Sequence, residues 1–358
     1  MSAVAPLPLL AAGERRLALL GTGTVGSAFV HRYQALQARG LVLPAFAWLA
    51  NSRTARACAQ APALELLQAN LAARGVPAQQ PWADAEGLQR GDVVVDATAS
   101  DEVAHWHPQW LARGVHVVTA NKLGQGAQLA RAQAIADSGQ GGAAHYGDSA
   151  TVGAGLPLLS SLRALVAGGD RIHRVEGVLS GSLAWLFHHY DGQRAFSTHV
   201  RDALAAGYTE PDPRVDLSGE DVRRKLLILA RASGIALGAG QVQVDSLVPA
   251  ALAALSPVEA LAALSQLDAP LQQRWQQARD QGGCLRFVGG FDHHGASVGL
   301  RILPLDHPLA GGAQTDNRVA IHSDRYLAQP LLIQGPGAGA DVTAAALLDD
   351  VLAIARQR

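Results

Sequence analysis

The chain is predicted to fold as α/β, a doubly wound parallel sheet joined to a second α/β domain, and three observations predict it. The apolar fraction of 49 % is mostly Ala, Leu and Val with 5 % aromatic, which suits helices packed on sheets better than an aromatic-lined sandwich. Near the N-terminus a short apolar run enters a glycine turn and then a stretch of helical character. Two later apolar runs, Val93 to Ala97 and Val115 to Thr119, end in polar tips, as buried parallel strands do. At 358 residues there is room for two domains of ordinary size or one large one, with ample material for buried cores.

The first element, Leu17 to Leu20, leads into Gly21-Thr22-Gly23-Thr24-Val25-Gly26, and Ser27 to Arg39 continues as a helix. Strand, GxGxxG and helix in that order form a Rossmann-type dinucleotide cradle. Its glycines permit a tight turn and close backbone approach, and the helix N-terminus offers unsatisfied N–H groups to phosphates. Leu43 to Ala50 is expected as the second strand. An NAD-selective site would place an acidic residue at its end, yet none occurs from Ser27 to Leu64, and Asn51, Arg53 and Arg56 stand there instead. Arginines suit a 2′-phosphate, so NADP(H) is expected ahead of NAD(H); the other reading of Arg53 and Arg56 is a solvated helix face. The tips of the next two strands, Thr98-Ala99-Ser100 and Asn121-Lys122, fall at the carboxyl ends of a parallel sheet and should line the nicotinamide half of the crevice.

Only two lysines, Lys122 and Lys225, occur among 29 Lys and Arg. An ammonium can give up its proton where a guanidinium cannot, which singles both out for chemistry. Lys225 closes Gly207 to Lys225, GYTEPDPRVDLSGEDVRRK, the densest polar stretch in the chain. Pro211 and Pro213 make its first half a loop carrying Glu210, Asp212 and Asp216 on an extended segment. Ser218 is the expected N-cap of a helix in which Asp221 and Lys225 stand one turn apart at the edge of the apolar face. Without the loop carboxylates that pair would read as an ordinary i,i+4 ion pair. Further on, Ser256, Pro257 and Glu259 have the pattern of a capping box opening a core helix.

Composition narrows the function classes. A net charge of −1 with no long single-sign run argues against nucleic acid or an anionic membrane as the main partner and favours a small molecule. Cys58 and Cys284 lie far apart and outside CxxC spacing, so neither a disulfide framework nor a zinc site is suggested, and the cytoplasm fits. The first sixteen residues lack a basic region ahead of their apolar stretch, which argues against a signal peptide. The apolar stretch Val248 to Leu267 is too interrupted to span a membrane. His105/His107, His188/His189 and His293/His294 lack metal-ligand spacing and read as packing or solvated side chains.

The Gly207 to Lys225 stretch resembles the signature of homoserine dehydrogenases. The match extends to GTGTVG, ANKL from Ala120, ATVGAGLP from Ala150, LSGSLAW from Leu179 and GPGAGADVTAA from Gly335, in family order along nearly the whole chain. LSQLD and LRFVGG, near 264 and 285, further resemble the dehydrogenase half of bifunctional aspartokinase–homoserine dehydrogenases, with no kinase half present.

The resemblance implies NAD(P)-dependent interconversion of L-homoserine and L-aspartate 4-semialdehyde, in threonine, methionine and isoleucine biosynthesis. It makes Lys225 the proton donor and acceptor, with Asp221 beside it, and sets Lys122 between nicotinamide and substrate. Glu210, Asp216 and Asp221 would hold the amino acid or a bound water, with Gly207, Tyr208, Thr209 and Ser180 at the substrate. It further implies Gly339 near the cofactor, although GPGAGAD alone reads equally as a plain glycine turn before a helix. The implied division is a nucleotide-binding domain over 1–148, a substrate-binding and dimerisation domain over 149–325, and a C-terminal segment, 326–358, returning to the first. A homodimer is implied as well.

Some members of the family bind a monovalent cation through a carboxylate and loop carbonyls. Here Val152, Ala154 and Leu156 keep the carbonyl positions, while Ser149 replaces the carboxylate with Asp148 beside it. No appended domain for threonine regulation is expected after the C-terminal helix. An aspartate-semialdehyde dehydrogenase, on a similar fold, would need a nucleophilic cysteine, and neither cysteine sits in such a context. The remaining alternative is a catalytically silent NADP-binding regulator, against which the retained lysines and carboxylates argue.

Overall fold

The computed structural model describes residues 15–58, 63–72, 87–140, 144–312 and 314–357. Residues 1–14, on which most of the signal-peptide reading rests, lie outside the described residues. The chain divides into two compact units. One comprises Met1–Gln125, Ala130–Gly155 and Gly339–Arg358, the other Gly126–Leu129 and Leu156–Ala338.

The first unit opens with β1 (Arg16–Leu20), α1 (Thr24–Ala38), β2 (Ala45–Ala50), β3 (Ala55–Ala57) and α2 (Ala63–Ala72). It continues through β4 (Val93–Asp96), α3 (Asp101–Ala112), β5 (His116–Thr119), α4 (Leu123–Gly126), α5 (Leu129–Gln140) and β6 (Tyr146–Gly147). The strand order is β3-β2-β1-β4-β5-β6, parallel throughout except for β3, which runs antiparallel to β2. Strands β1 and β4 are buried along their apolar runs because each has helices over both faces, the reason they read as continuous rather than alternating apolar stretches. Strand order reverses between β1 and β4, which opens a crevice at their carboxyl ends.

In the second unit α6 (Leu158–Ala167), β7 (Ile172–Val178), α7 (Gly181–His189), α8 (Phe196–Ala205), α9 (Arg214–Leu217) and α10 (Glu220–Ala232) precede β8 (Val242–Val244). Three helices, α11 (Ala250–Ala253), α12 (Pro257–Ala262) and α13 (Asp268–Asp280), lead to β9 (Gly283–Asp292), β10 (Gly295–Pro304), β11 (Asp316–Ser323) and β12 (Leu331–Pro336). The sheet order is β12-β11-β7-β9-β10-β8, antiparallel apart from the β10–β8 edge. Helix α10 lies on this sheet with Val222, Leu226 and Leu229 buried, and Gly289 in β9 lets it come close, since a Cβ there would lie 2.8 Å from the Val222 side chain. The chain then returns to the first unit as α14 (Ala340–Ala355), which packs on α1 and buries Ala344, Leu347, Leu348 and Val351 beside Phe29 and Val30.

Several boundaries differ from the sequence reading. Residues 331–336 form strand β12 of the second sheet, so the return to the first unit starts at Gly339, not at 326, and the earlier boundary falls after Gly155 instead of 148. Helix α10 is capped by Gly219 at φ +77°, not by Ser218, because Ser218 closes the extra turn α9 and its hydroxyl accepts from the Glu220 N–H at 3.2 Å. Asp216 therefore sits in that turn, not on an extended segment. The capping box at Ser256 and Glu259 forms as read, but α12 is short and exposed, with only Ala260 buried, so it is no core helix.

Candidate active site

Around the nucleotide crevice of the first unit, the turn after β1 is fixed by the Gly21 N–H donating to Ala50 O at 2.8 Å. Gly21 takes φ +90°, and a Cβ on Gly26 would collide with the Gly21 carbonyl oxygen, so this turn tolerates only glycine at both positions. The first bond of α1 runs from Ser27 N–H to Gly23 O at 2.8 Å. No side chain caps this end, and the N–H groups of Thr24, Val25 and Gly26 form the unsatisfied first turn that an anion would complete. Beside it, Asn51 is committed to the protein. Its amide donates to Thr22 Oγ1 at 2.9 Å and to Asn70 Oδ1, and its Oδ1 accepts from the Arg53 N–H at 2.8 Å and the Thr54 N–H at 3.1 Å. This network bends the chain from β2 into β3 and presents Arg53 outward, while Arg56 lies on β3 with a buried Nε that has no partner among the described residues.

The tips of β4 and β5 are tied together by Asn121, which is 2 % exposed. Its amide donates to Asp96 Oδ2 at 2.9 Å and Ser100 O at 2.8 Å, while its Oδ1 accepts from the Leu123 N–H at 3.1 Å. Thr98 Oγ1 accepts from the Ser100 N–H at 3.1 Å, and Ser100 caps α3 by accepting from Val103 N–H at 3.3 Å. Ala99 is exposed between them, and Lys122, half-buried, follows Asn121 in the turn before α4. Gly339 stands at φ +126° as the N-cap of α14, in the same unit.

In the second unit Lys225 is only 8 % exposed. Its Nζ donates to Leu179 O at 2.7 Å and pairs with Asp221 Oδ2 at 2.9 Å. Arg223 instead pairs with Glu220 at 2.5 Å, so the lysine is the inward cation of the helix, as its spacing implied. Asp216 accepts from Ser182 Oγ at 2.7 Å and from the Glu210 N–H at 2.9 Å. Burial raises its carboxyl above the usual range, opposed by the Ser182 and Glu210 hydrogen bonds, while the Asp221 charge adds to the rise. Ser180 caps α7 through the Leu183 N–H at 3.3 Å and lies 2.9 Å from Ser182 Oγ. Gly207 turns the chain at φ +73° after α8, and Tyr208 is 41 % exposed with its ring 5.4 Å from that of Trp185. Thr209 Oγ1 is buried without a partner among the described residues, and Glu210 keeps an exposed side chain.

The second unit thus gathers Lys225, Asp221, Asp216, Ser180 and Ser182 around the start of α10 and leaves Asp212 out. Asp212 pairs with Arg214 at 2.7 Å, which holds its carboxyl below the usual range, and Arg214 donates to Leu252 O at 3.0 Å and Leu255 O at 2.7 Å. That clamp braces the loop and does not face the lysine. Sequence reasoning missed Ser182 and Arg214, whose signals were the second serine of LSGSL and the arginine two residues after Asp212. It also missed Thr22, inside the GTGTVG turn, and Asp96, at the end of the Val93 to Ala97 run, along with Asn70 and Tyr146, which carry no motif of their own. In the loop before α6, Gly153 and Ala154 are left-handed at φ +73° and +52°, Val152 and Ala154 are buried, and Leu156 is half-buried. Ser149 donates through its hydroxyl to Asp350 at 2.8 Å. Among the described residues no group of three or more His, Cys, Asp or Glu side chains could hold a metal ion.

One unit carries a glycine turn before an uncapped helix N-terminus, and the other an amine set between a main-chain carbonyl and a carboxylate. A homoserine dehydrogenase family model matches residues 157–352, and the model of that family's NAD-binding domain matches 21–145. The homoserine dehydrogenase of Saccharomyces cerevisiae is 35 % identical, with 95 % of this chain and 98 % of that protein covered. The bifunctional aspartokinase/homoserine dehydrogenase 2 of Zea mays is 43 % identical over 74 % of this chain, but the matched segment is 29 % of that longer protein. In structure, a Candida auris protein of unknown function superposes with a TM-score of 0.84 at 34 % identity, covering 96 % of this chain and 98 % of its own. The chain belongs to the homoserine dehydrogenase family.

Proposed function

We propose that this chain reduces L-aspartate 4-semialdehyde to L-homoserine and catalyses the reverse, with NADP(H) preferred over NAD(H). The observation that carries the reading is the setting of Lys225, a buried ammonium held 2.7 Å from Leu179 O and 2.9 Å from Asp221. When bound, the nicotinamide supplies or accepts the hydride. Every other task falls to the protein. Lys225 is the group that delivers a proton to the aldehyde oxygen as it becomes an alkoxide and takes it back in the reverse direction. Asp221 holds the Lys225 amine in place, and Lys122 serves between nicotinamide and substrate. Asp216, on the turn braced by Arg214, and Glu210, in the loop before it, answer the ammonium of the amino acid, with Gly207, Tyr208, Thr209 and Ser180 around it.

Gly21, Gly23, Thr24, Val25 and Gly26 would hold the pyrophosphate, with Thr98, Ala99, Ser100, Asn121 and Gly339 toward the nicotinamide. The preference for NADP(H) is supported by Arg53 pointing outward after β2, by the buried, partnerless Nε of Arg56 and by the absence of an acidic residue between Ser27 and Leu64. A monovalent cation on the carbonyls of Val152, Ala154 and Leu156 fits a loop strained into the left-handed region at Ala154, since such strain persists where surrounding structure imposes it and often marks a functional site. A cytoplasmic homodimer completes the reading, with the face of the second sheet that carries Arg174, Glu176 and Arg301 as the contact. Glu176 is 5 % exposed there, and its Oε1 makes no hydrogen bond among the described residues, with Arg174 and His307 3.5 Å from it as ion-pair partners.

The test is chemical identification of L-homoserine formed from the semialdehyde by the purified chain, with NADPH and NADH compared. Homoserine formed faster per unit KM with NADPH supports the reading. NADPH binding without product would return the chain to a silent binding protein, and faster use of NADH would remove the coenzyme preference.

A further inference from the structure

Beneath the Lys122 turn lies a chain of polar groups, fully buried at Asp96 and His107 and half-buried at Tyr146, to which nothing in the proposed chemistry assigns a role. Asp96, at the end of β4, and His107, on α3, are both fully buried, and His107 Nε2 lies 3.0 Å from Asp96 Oδ2. On the other side of the ring, His107 Nδ1 lies 3.1 Å from the Tyr146 hydroxyl on β6. The same Asp96 oxygen accepts from the Asn121 amide at 2.9 Å, and its other oxygen accepts from the Thr98 N–H at 2.9 Å. With Nε2 paired to Asp96 and Nδ1 to the Tyr146 hydroxyl, both ring nitrogens of His107 have a partner. Such a fully paired buried chain rigidifies its surroundings, whereas a broken one leaves a desolvated group.

The turn that carries Lys122 rests on this chain at two points. On its N-terminal side stands Asn121, bonded to Asp96 and to Ser100 O. On its C-terminal side is Gly124, where a Cβ would collide with the Tyr146 hydroxyl and come within 3.0 Å of His107 Nδ1. The backbone on both sides of Lys122 is therefore seated on the Asp96–His107–Tyr146 chain. Arg131, pairing with Asp101 at 2.7 Å and donating to Leu123 O at 3.0 Å, holds the turn from α5.

We infer that His107 and Tyr146 are positioning residues for catalysis, acting through Lys122 by fixing the height and direction of the turn from which its side chain leaves. The inference rests on the proposed role of Lys122 beside the nicotinamide. Misplacing a group at a reacting centre by about 1 Å can cost on the order of 100-fold in rate, so even a slight settling of this turn should be visible in kcat.

The experiment compares Tyr146→Phe, His107→Leu and His107→Gln, each in the wild-type chain and in Lys122→Ala, by single-turnover NADPH oxidation with the semialdehyde and by NADPH binding. Tyr146→Phe removes one oxygen and keeps the ring, so it guards against a loss due to unfolding. The expected result is a kcat lowered about tenfold by Tyr146→Phe and more by His107→Leu, with NADPH affinity unchanged, and His107→Gln, which can donate and accept, within about threefold of wild type. In the Lys122→Ala background the same changes should have little further effect. Equal losses in both backgrounds, or wild-type kcat in Tyr146→Phe and His107→Leu, would overturn the positioning role and leave that of Lys122 intact. Wild-type turnover by Lys122→Ala itself would overturn the role of Lys122, and this inference with it.

Discussion

Buried single residues do the most specific work in this chain. Lys225 was legible from sequence because it is one of two lysines and stands one turn from Asp221, and the structure makes it the inward cation of α10. His107 was not legible. Its neighbour His105 is exposed, and only tertiary packing of α3 on β6 joins His107 to Tyr146. His116 is another such residue. Burial first, then the nearby charges of Arg15 and His145, push its imidazole down to about 4, and the His145 N–H donates to its Nδ1 at 2.9 Å, which requires the neutral ring. The unfolded chain would protonate this ring near its ordinary value of about 6.5, so its contribution to stability is present above that pH and lost as pH falls toward 4. The shift corresponds to about 3 kcal/mol at most, so urea unfolding should show a steep loss of stability between pH 6.5 and pH 4 that flattens in His116→Gln. Equal slopes in the two proteins would remove His116 as the cause.

At the scale of elements, periodicity and glycine spacing placed β1, α1, β4 and β5 to within two or three residues, since their apolar runs and turn residues leave one arrangement. The polar stretch before α10 was harder. Its prolines announced a loop, but the extra turn α9 depends on Arg214 reaching the carbonyls of Leu252, Ala253 and Leu255, contacts from distant sequence that no local pattern records. The same dependence makes Arg214 testable. Arg214→Ala should release the turn bearing Asp216 and raise KM for the semialdehyde about tenfold while KM for NADPH stays put, a split read from initial rates. A rise in both constants, or in neither, would mean that the clamp does not shape the amino-acid site. The capping box of α12 teaches the converse: local hydrogen bonding was readable, and burial, which depends on what lies opposite, was not.

For the whole molecule, length alone allowed two domains or one large one and the family resemblance implied the division, whereas the boundary at Gly339 depends on β12 pairing with β11, a contact between strands whose sequences show no sign of each other. The described part of the chain has no helix long and apolar enough to cross a membrane. The polar face of the second sheet borders a cavity of about 460 Å³ lined by Arg174, Glu176, Gln243, Asp292 and Arg301 among others. If this face is the contact between two copies, light scattering should give twice the 37.2 kDa of one chain, and Glu176→Arg, which adds a cation beside Arg174 and Arg301, should shift the mass toward a single copy. An unchanged mass would place the contact elsewhere.

The central claim is that a buried lysine on α10 moves the proton that accompanies hydride transfer. It is tested most directly by NADPH oxidation with L-aspartate 4-semialdehyde, wild type beside Lys225→Ala, with NADPH binding measured on both. A general acid of this kind contributes about 100- to 10,000-fold, so kcat in the variant should fall by that order while NADPH binds as in the wild type. Turnover within a few-fold of wild type in Lys225→Ala would contradict the claim.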